Sequence, residues 1–230
     1  IAQAATQNGV PLEDGDVVVL AQKIVSKSEG RYVDLDTVTP SEKAVEIAEV
    51  CKKDPRIVEL ILGEAVEVVR CIPNVIIVRD RNGLVLANAG IDQSNLPGGE
   101  ASNKALLLPK DPNASADRIR AALELASGKN VGVAIIDSLG RAWRIGTFGT
   151  CIGASGIETV RDMRGQKDLY GRTLQSTIIG LGDEMAGGAS MVMGQAAEGT
   201  PVVIVRGSGI QHDGMSARNL VRPLNEDLFK

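Results

Sequence analysis

Val131-Gly132-Val133-Ala134-Ile135-Ile136-Asp137, residues 131–137, is an apolar run that ends on an aspartate. A segment that is apolar at successive positions, rather than at alternate ones, is a strand covered on both faces. A second run of the same kind, DVVVLA at 16–21, follows an Asp14-Gly15 turn. Helical signals surround these strands. Thr39-Pro40-Ser41-Glu42 reads as a helix start, with Thr39 as N-cap, Pro40 at the first position and Glu42 closing a capping box. Asp54-Pro55 starts another, with Val58, Ile61, Leu62 and Ala65 on one face. Ser115 is expected to cap a third, which Gly128 stops.

The remaining segments are read from their turn residues. Asp80-Arg81-Asn82-Gly83, between apolar arms at 74–78 and 84–87, predicts a hairpin. The 96–102 stretch is a Pro-Gly-Gly loop. From Gly146 to Gly156 glycine recurs too often for regular structure. Residues 169–193 look helical, although each interior glycine there costs up to about 1 kcal/mol relative to alanine. Close packing against another backbone, within the fold or across a dimer interface, would offset that cost. Val202 to Val205 is a final strand, followed by a loop at 207–214 and a short terminal element at 217–224. There is no internal repeat and no linker long enough to separate independent domains. The 230 residues therefore form one large domain or two interlocked lobes.

Composition narrows the function. Aromatics make up 2% of the chain, so there is no set of rings for stacking bases. The formal charge of -4 offers no broad attraction for nucleic acid or an anionic membrane. No apolar run approaches the roughly 20 residues of a membrane helix, and the start lacks the form of a signal peptide. Cys51, Cys71 and Cys151 have no metal-ligand spacing and read as reduced thiols of a cytoplasmic protein. The chain begins at Ile1 rather than Met, so some N-terminal sequence is expected to be missing.

Two stretches carry the chemistry: AGIDQSN at 89–95 and IIDSLGR at 135–141. Each sets an aspartate just beyond an apolar run among small residues, where a carboxylate has a rigid base and an open approach. With one histidine and three scattered cysteines, the metal chemistry that remains is oxygen ligation of a Mg2+-like or Mn2+-like ion. Either aspartate is also compatible with a plain turn former or helix cap. Asn95 and Ser138 could add polar contacts, and Arg141 and Arg144 could steady phosphates or simply be solvated. The cationic QKIVSKSEGR segment, 22–31, reads either as a phosphate grip after a buried strand or as a solvated loop. No Walker loop and no dinucleotide glycine pattern occurs, so a nucleotide would need another kind of loop. Residues 193–200 could wrap one with backbone groups or merely connect two elements, and the segment alone favours connection. Asp183-Glu184 could cap, pair with arginine or line a pocket. His212 reads as a surface residue, and Cys151 has no base that would make it a nucleophile.

Taken together, VSKSEGR (25–31), ANAGIDQSN (87–95), LLLPKDP (106–112), GVAIIDSLGRAWR (132–144), KDLYGR (167–172), DEMA (183–186), VIVRG (203–207) and RPLNEDLF (222–229) resemble the coenzyme F-420:L-glutamate ligases, or gamma-glutamyl ligases, over nearly the whole chain. The resemblance implies a mixed α/β (α+β) fold of two intertwined lobes, usually a homodimer. It implies GTP-dependent ligation, in which a deazaflavin precursor's carboxylate is phosphorylated and the amine of L-glutamate displaces phosphate. It further implies that Asp92 and Asp137 are catalytic, and that Asp92, Asp137, Ser138 and Gln195 form the metal-binding set for one or two divalent ions. A monovalent K+ is a further implied cation. Gln22, Lys23, Lys27, Asn95 and the loop Met193, Gly194, Gln195, Ala196, Ala197, Glu198, Gly199 and Thr200 look like nucleotide contacts. Against the family, its N-terminal strand and Leu-Pro nucleotide loop are expected to be missing from residues 1–230, and the flavin-reductase-like domain fused to some members is not expected within them. The alternatives are the same chemistry on another carboxylic acid, or a guanine-nucleotide-binding module without catalysis.

Overall fold

The computed structural model describes residues 1–96, 98, 102–210 and 213–227. In chain order its helices are α1 (Ala2–Gln7), α2 (Gln22–Ser28), α3 (Glu42–Cys51), α4 (Pro55–Glu64), α5 (Pro112–Ser127) and α6 (Leu181–Met193). Its strands are β1 (Val17–Ala21), β2 (Tyr32–Asp34), β3 (Ala65–Ile72), β4 (Val75–Asp80), β5 (Val85–Ala87) and β6 (Lys104–Leu106). There follow β7 (Gly132–Arg141), β8 (Arg144–Ser155), β9 (Arg161–Asp162), β10 (Ile178–Ile179) and β11 (Val202–Val205). The fold is mixed α/β, as expected. The chain divides into two compact units, one of Ile1–Ala21, Asp111–Ser138 and Phe148–Lys230, the other of Gln22–Lys110 and Leu139–Thr147.

The first unit is built on a four-stranded sheet in the order β11-β1-β7-β8. The two apolar runs read from the sequence lie side by side in it, β1 parallel to β7 with Leu20 opposite Ile135 and Ala21 opposite Ile136. Val17, Val18 and Val19 are fully buried, as are Val133, Ala134 and Ile135. Each such valine or isoleucine side chain contributes about 1.5–3 kcal/mol by leaving water. β11 pairs antiparallel on the other side of β1, with Leu20 opposite Val202. Helix α6 packs Met185, Ala186, Ala189 and Met193 into this core.

Four sequence expectations fail along these segments. β7 does not stop at Ile136 but runs on through Asp137 to Arg141. The glycine-rich 146–156 segment is not irregular: β8 is a twelve-residue strand. Two of its glycines serve close approach, since a Cβ on Gly149 would lie 2.3 Å from the Ala186 carbonyl oxygen, and one on Gly153 would lie 2.4 Å from that of Pro112. The helix expected over 169–193 begins only at Leu181. The segment before it forms the short β9–β10 pair and turns. Gly182 and Gly187 in α6 face the side chains of Leu220 and Phe148 rather than another backbone. Helix α5 starts at Asp111, whose carboxylate accepts from the Asn113 and Ala114 N–H groups, rather than at Ser115. Gly128 ends it at φ +68°.

The second unit holds the three-stranded sheet β3-β4-β5 and the β2–β6 pair. The hairpin at Asp80-Arg81-Asn82-Gly83 joins β4 to β5 as its turn residues require. Helices α3 and α4 cover one core of Ala44, Ala48, Cys51 and Val58. A second core gathers Leu35, Ile61, Ile76, Val78, Ile91 and Leu107. Asp54 caps α4 with Pro55 inside it. α3 is capped by Ser41 Oγ, not Thr39, because that hydroxyl accepts from Ala44 N at 3.2 Å. The 22–31 segment is not a loop: residues 22–28 form α2. Within the 96–102 loop, residues 97 and 99–101 lie outside the described residues, as does His212.

Candidate functional site

In the first unit, strand register decides what meets what. Ala21 stands opposite Ile136, and Leu20 opposite Val202. Asp137, the first residue of β7 beyond its pairing with β1, and the loop that enters β11 therefore lie at the end of the sheet where β1 stops. Open α/β sheets bind ligands at the carboxyl ends of their parallel strands, since loops there leave a crevice free of strand backbone. Ser138 Oγ donates to Gln195 Oε1 at 2.6 Å, across 57 residues of sequence. Gln195 Nε2 donates to Ser190 Oγ at 2.7 Å, which anchors the amide to the last turn of α6. Asp137 Oδ1 accepts from Ser138 N at 2.8 Å. Asp137, Ser138 and Gln195 are thus gathered in one place with carboxylate, hydroxyl and amide oxygens.

The loop after α6 is shaped by its own residues. Met193 is buried in the core, and Gly194 leaves the helix at φ +73°. The Glu198 side chain folds back on Gly194, and its Oε2 accepts from Ala196 N at 2.8 Å. That backbone N–H holds the Glu198 carboxyl below its ordinary range. Gln195, Ala196, Ala197, Glu198, Gly199 and Thr200 are exposed.

In the second unit, Asp92 is gripped by backbone and side chains together. Its N–H and C=O exchange hydrogen bonds with Leu106 at 3.1 and 2.8 Å, which fixes the residue beside β6. Its Oδ2 lies 2.6 Å from Lys23 Nζ, and its Oδ1 accepts from Ser94 N at 2.6 Å. Burial is the largest influence on this carboxyl and works to raise it. Lys23 and Ser94 together outweigh burial and leave it below its ordinary range. One turn further along α2, Lys27 Nζ donates to the Asn95 carbonyl at 2.8 Å. Gln22 is buried, and its Oε1 accepts from Ser26 Oγ.

The approach to Asp92 is strained. Asn88, Ala89 and Gly90 have φ of 55°, 53° and 68°, three consecutive left-handed residues of which only one is glycine. L-residues visit this region singly, and each such conformation costs of the order of 1–3 kcal/mol. The Asn88 Oδ1 is buried without a hydrogen-bond partner. Such strain concentrates at functional sites, where neighbours over-determine the backbone.

Sequence reasoning missed Ser94, whose Oγ accepts from Lys23 and donates to Asp92, and Ser190 behind Gln195. The Asp-x-Ser spacing at 92–94 is the signal of an Asx turn and could have found the first. Ser190 had no local signal. Among the described residues no three His, Cys, Asp or Glu side chains converge as metal ligands. Asp137, Ser138 and Gln195 are instead a mixed oxygen set, of the chemistry a hard cation takes. Burial, with Asp183 adding to it, pushes the Cys151 thiol up to about 12, which keeps it un-ionised. Asp183 accepts from Cys151 N at 2.9 Å at the start of α6.

In the first unit a carboxylate, a hydroxyl and an amide are gathered, and in the second unit a carboxylate is held by a lysine. Residues 1–207 match the model of the family described as "F420-0:Gamma-glutamyl ligase". The chain is 45% identical over 220 residues to "Coenzyme F420:L-glutamate ligase" of Methanocaldococcus jannaschii, covering 96% of this chain and 86% of that protein. It is 43% identical to the protein of that name from Methanothermobacter thermautotrophicus, covering 100% and 90%. The Methanopyrus kandleri protein is 46% identical, covering 95% and 87%. The chain belongs to the F-420-0:gamma-glutamyl ligase family.

Proposed function

We propose that this chain is an amide ligase that joins L-glutamate to a deazaflavin-bearing carboxylic acid, with GTP activating the acid as an acyl-phosphate. Family membership supports the ligation. The observation that carries the phosphate chemistry is the pairing of Ser138 with Gln195 beside Asp137, just past the stretch of β7 that pairs with β1. The acid's carboxylate oxygen attacks the γ-phosphorus of GTP, so that an O–P bond forms as the bond to GDP breaks. The glutamate nitrogen then attacks the acyl carbon, phosphate leaves, and the amine proton passes to solvent.

Such a reaction needs alignment and charge compensation more than a protein nucleophile. Lys23 and Lys27 supply fixed positive charge for phosphate oxygens. Gly194 to Thr200, exposed after α6, contact the nucleotide, and Asn95 adds a polar contact. Asp137, Ser138 and Gln195 in the first unit are oxygen donors for Mg2+ or Mn2+, Asp92 in the second unit is an oxygen donor of the same kind, and K+ is a further cation. When bound, the divalent ion neutralises phosphate charge.

We assign the working form as a homodimer, because large apolar side chains stand in water on each unit. Trp143 and Ile145 are 89% and 102% exposed in the second unit, and Leu169 and Tyr170 are 97% and 96% exposed in the first. Apolar patches of this kind mark association surfaces. No helix among the described residues is long and apolar enough to cross a membrane.

The test is mass spectrometry of a reaction containing GTP, L-glutamate, Mn2+ and the deazaflavin acid. The expected product is the acid bearing an added glutamyl group, with GDP and phosphate released in equal amounts. Tight GTP binding without phosphate release would sink the proposal.

A further inference from the structure

Three of the stretches that carry the family resemblance meet in a place that neither the nucleotide nor the metal set uses. Arg31 closes VSKSEGR, Ala89 lies in ANAGIDQSN, and Leu108 and Lys110 lie in LLLPKDP. In the second unit all four line one cavity of about 340 Å3, together with Glu64, Asp80 and Arg81. That volume is within the usual range for small-ligand sites, roughly 300–1,000 Å3. The cavity is tied to the Asp92 segment. Leu107 N donates to the Arg31 carbonyl, and Arg31 Nε donates to the Leu108 carbonyl at 2.8 Å, two residues beyond the Leu106 that holds Asp92.

Its charges are unevenly matched. Arg31 Nη2 lies 3.2 Å from Glu64 Oε1, and Arg81 donates to the Gly63 carbonyl. Lys110 makes no hydrogen bond or ion pair among the described residues. Asp80 is 5% exposed; its Oδ1 accepts from the Asn82 and Leu84 N–H groups and its Oδ2 from Asn82 Nδ2 at 3.3 Å, but no lysine or arginine among the described residues balances its charge. Burial accordingly raises the Asp80 carboxyl against those hydrogen bonds. A cavity with an unpaired cation and a buried carboxylate that is hydrogen-bonded but has no cationic partner fits a ligand carrying both signs. Phosphates and phosphodiesters bring only negative charge, and Asp80 and Glu64 would repel them. An α-amino dicarboxylate brings carboxylates for Arg31, Arg81 and Lys110 and an ammonium for the acidic pair.

Resting on the ligase reading above, we infer that the cavity lined by Arg31, Asp80, Arg81 and Lys110 is the binding site for L-glutamate. Bidentate guanidinium contacts and the free Lys110 ammonium select the carboxylates, and Asp80 selects the amino group over a simple diacid.

Isothermal titration of the full chain, without GTP or metal, tests this. L-glutamate is expected to bind, with inorganic phosphate and the deazaflavin acid failing to compete. Lys110→Gln should weaken L-glutamate about tenfold or more, the effect of losing one charge-assisted contact. Lys110→Arg should restore most of the loss. Asp80→Asn should weaken L-glutamate but not glutarate, which lacks the amino group. Asp80 also holds a turn, so its unfolding temperature is read alongside, and Lys110→Gln stands as the variant that leaves the fold alone. Unchanged affinity in Lys110→Gln, or displacement of L-glutamate by phosphate or by the deazaflavin acid, would overturn the assignment. If glutamyl transfer is absent while L-glutamate binds with these sensitivities, the ligase reading fails and the cavity assignment stands. If transfer proceeds and the variants leave the KM for L-glutamate unmoved, the cavity assignment fails alone.

Discussion

Lys23 Nζ lies 2.6 Å from Asp92 Oδ2 and 2.7 Å from Ser94 Oγ, so a helix residue just past β1 and a carboxylate 69 positions later share one polar knot. Lys23 and Ser94 keep the Asp92 carboxyl below its ordinary range despite burial. A carboxyl lowered in the folded protein is ionised at neutral pH, and its contribution is lost as pH falls through the lowered value. In Lys23→Met the acid limb of kcat/KM should therefore move to higher pH. A pH–rate profile identical to that of the unaltered protein would show that Asp92 ionisation does not govern activity.

In β7, just past its pairing with β1, Asp137→Asn is expected to abolish turnover with the unfolding temperature unchanged within a few degrees. Near-normal turnover at limiting Mn2+ would exclude Asp137 from the reaction.

Gln195 offers an amide oxygen where a carboxylate would hold a cation more strongly. Gln195→Glu keeps an acceptor for Ser138 and should lower the Mn2+ concentration needed for half-maximal rate about tenfold. An unchanged metal requirement would place Gln195 outside the cation shell.

Asp16, 1% exposed, receives Arg206 at 2.8 Å through both carboxylate oxygens and also accepts from Glu13 N. Arg206 is the main reason the Asp16 carboxyl lies below its ordinary range. Its stabilisation is present at neutral pH and lost on acidification. Because Arg206 is 40% exposed, the loss in Asp16→Asn is expected at about 1–3 kcal/mol, below that of a fully buried pair. Thermal unfolding at pH 7 should show a Tm lowered by about 3–10 °C, and the difference should shrink in acid.

Two glycines should respond in opposite directions. Gly149→Ala places a methyl 2.3 Å from the Ala186 carbonyl oxygen and should cost about 3 kcal/mol by forcing β8 from α6. Gly188, also in α6, has nothing within 4 Å of the added carbon, so Gly188→Ala should gain about 0.5–1 kcal/mol of helix stability. Equal Tm shifts in the two would contradict the packing of β8 on α6.

Local chemistry was legible in the residues themselves. Val17 to Leu20 and Val133 to Ile136 declare buried strands because every side chain is apolar, and Asp80-Arg81-Asn82-Gly83 declares a hairpin. Asp54-Pro55 and Gly128 mark helix ends through capping and a left-handed φ. These signals act over a few residues, the range at which backbone sterics and side-chain hydrogen bonds operate. Partnerships between distant segments required the folded chain. Whether a glycine-rich stretch is loop or strand depended on α6 arriving against Gly149, a contact no local preference encodes. Ser138 meets Gln195 only because β1 aligns Ile136 and Val202 at one sheet end. Arg31, Asp80 and Lys110 share a cavity only because Leu107 hydrogen-bonds to the Arg31 carbonyl. Such arrangements arise from long-range packing, and its free energy overrides the propensity of any single stretch.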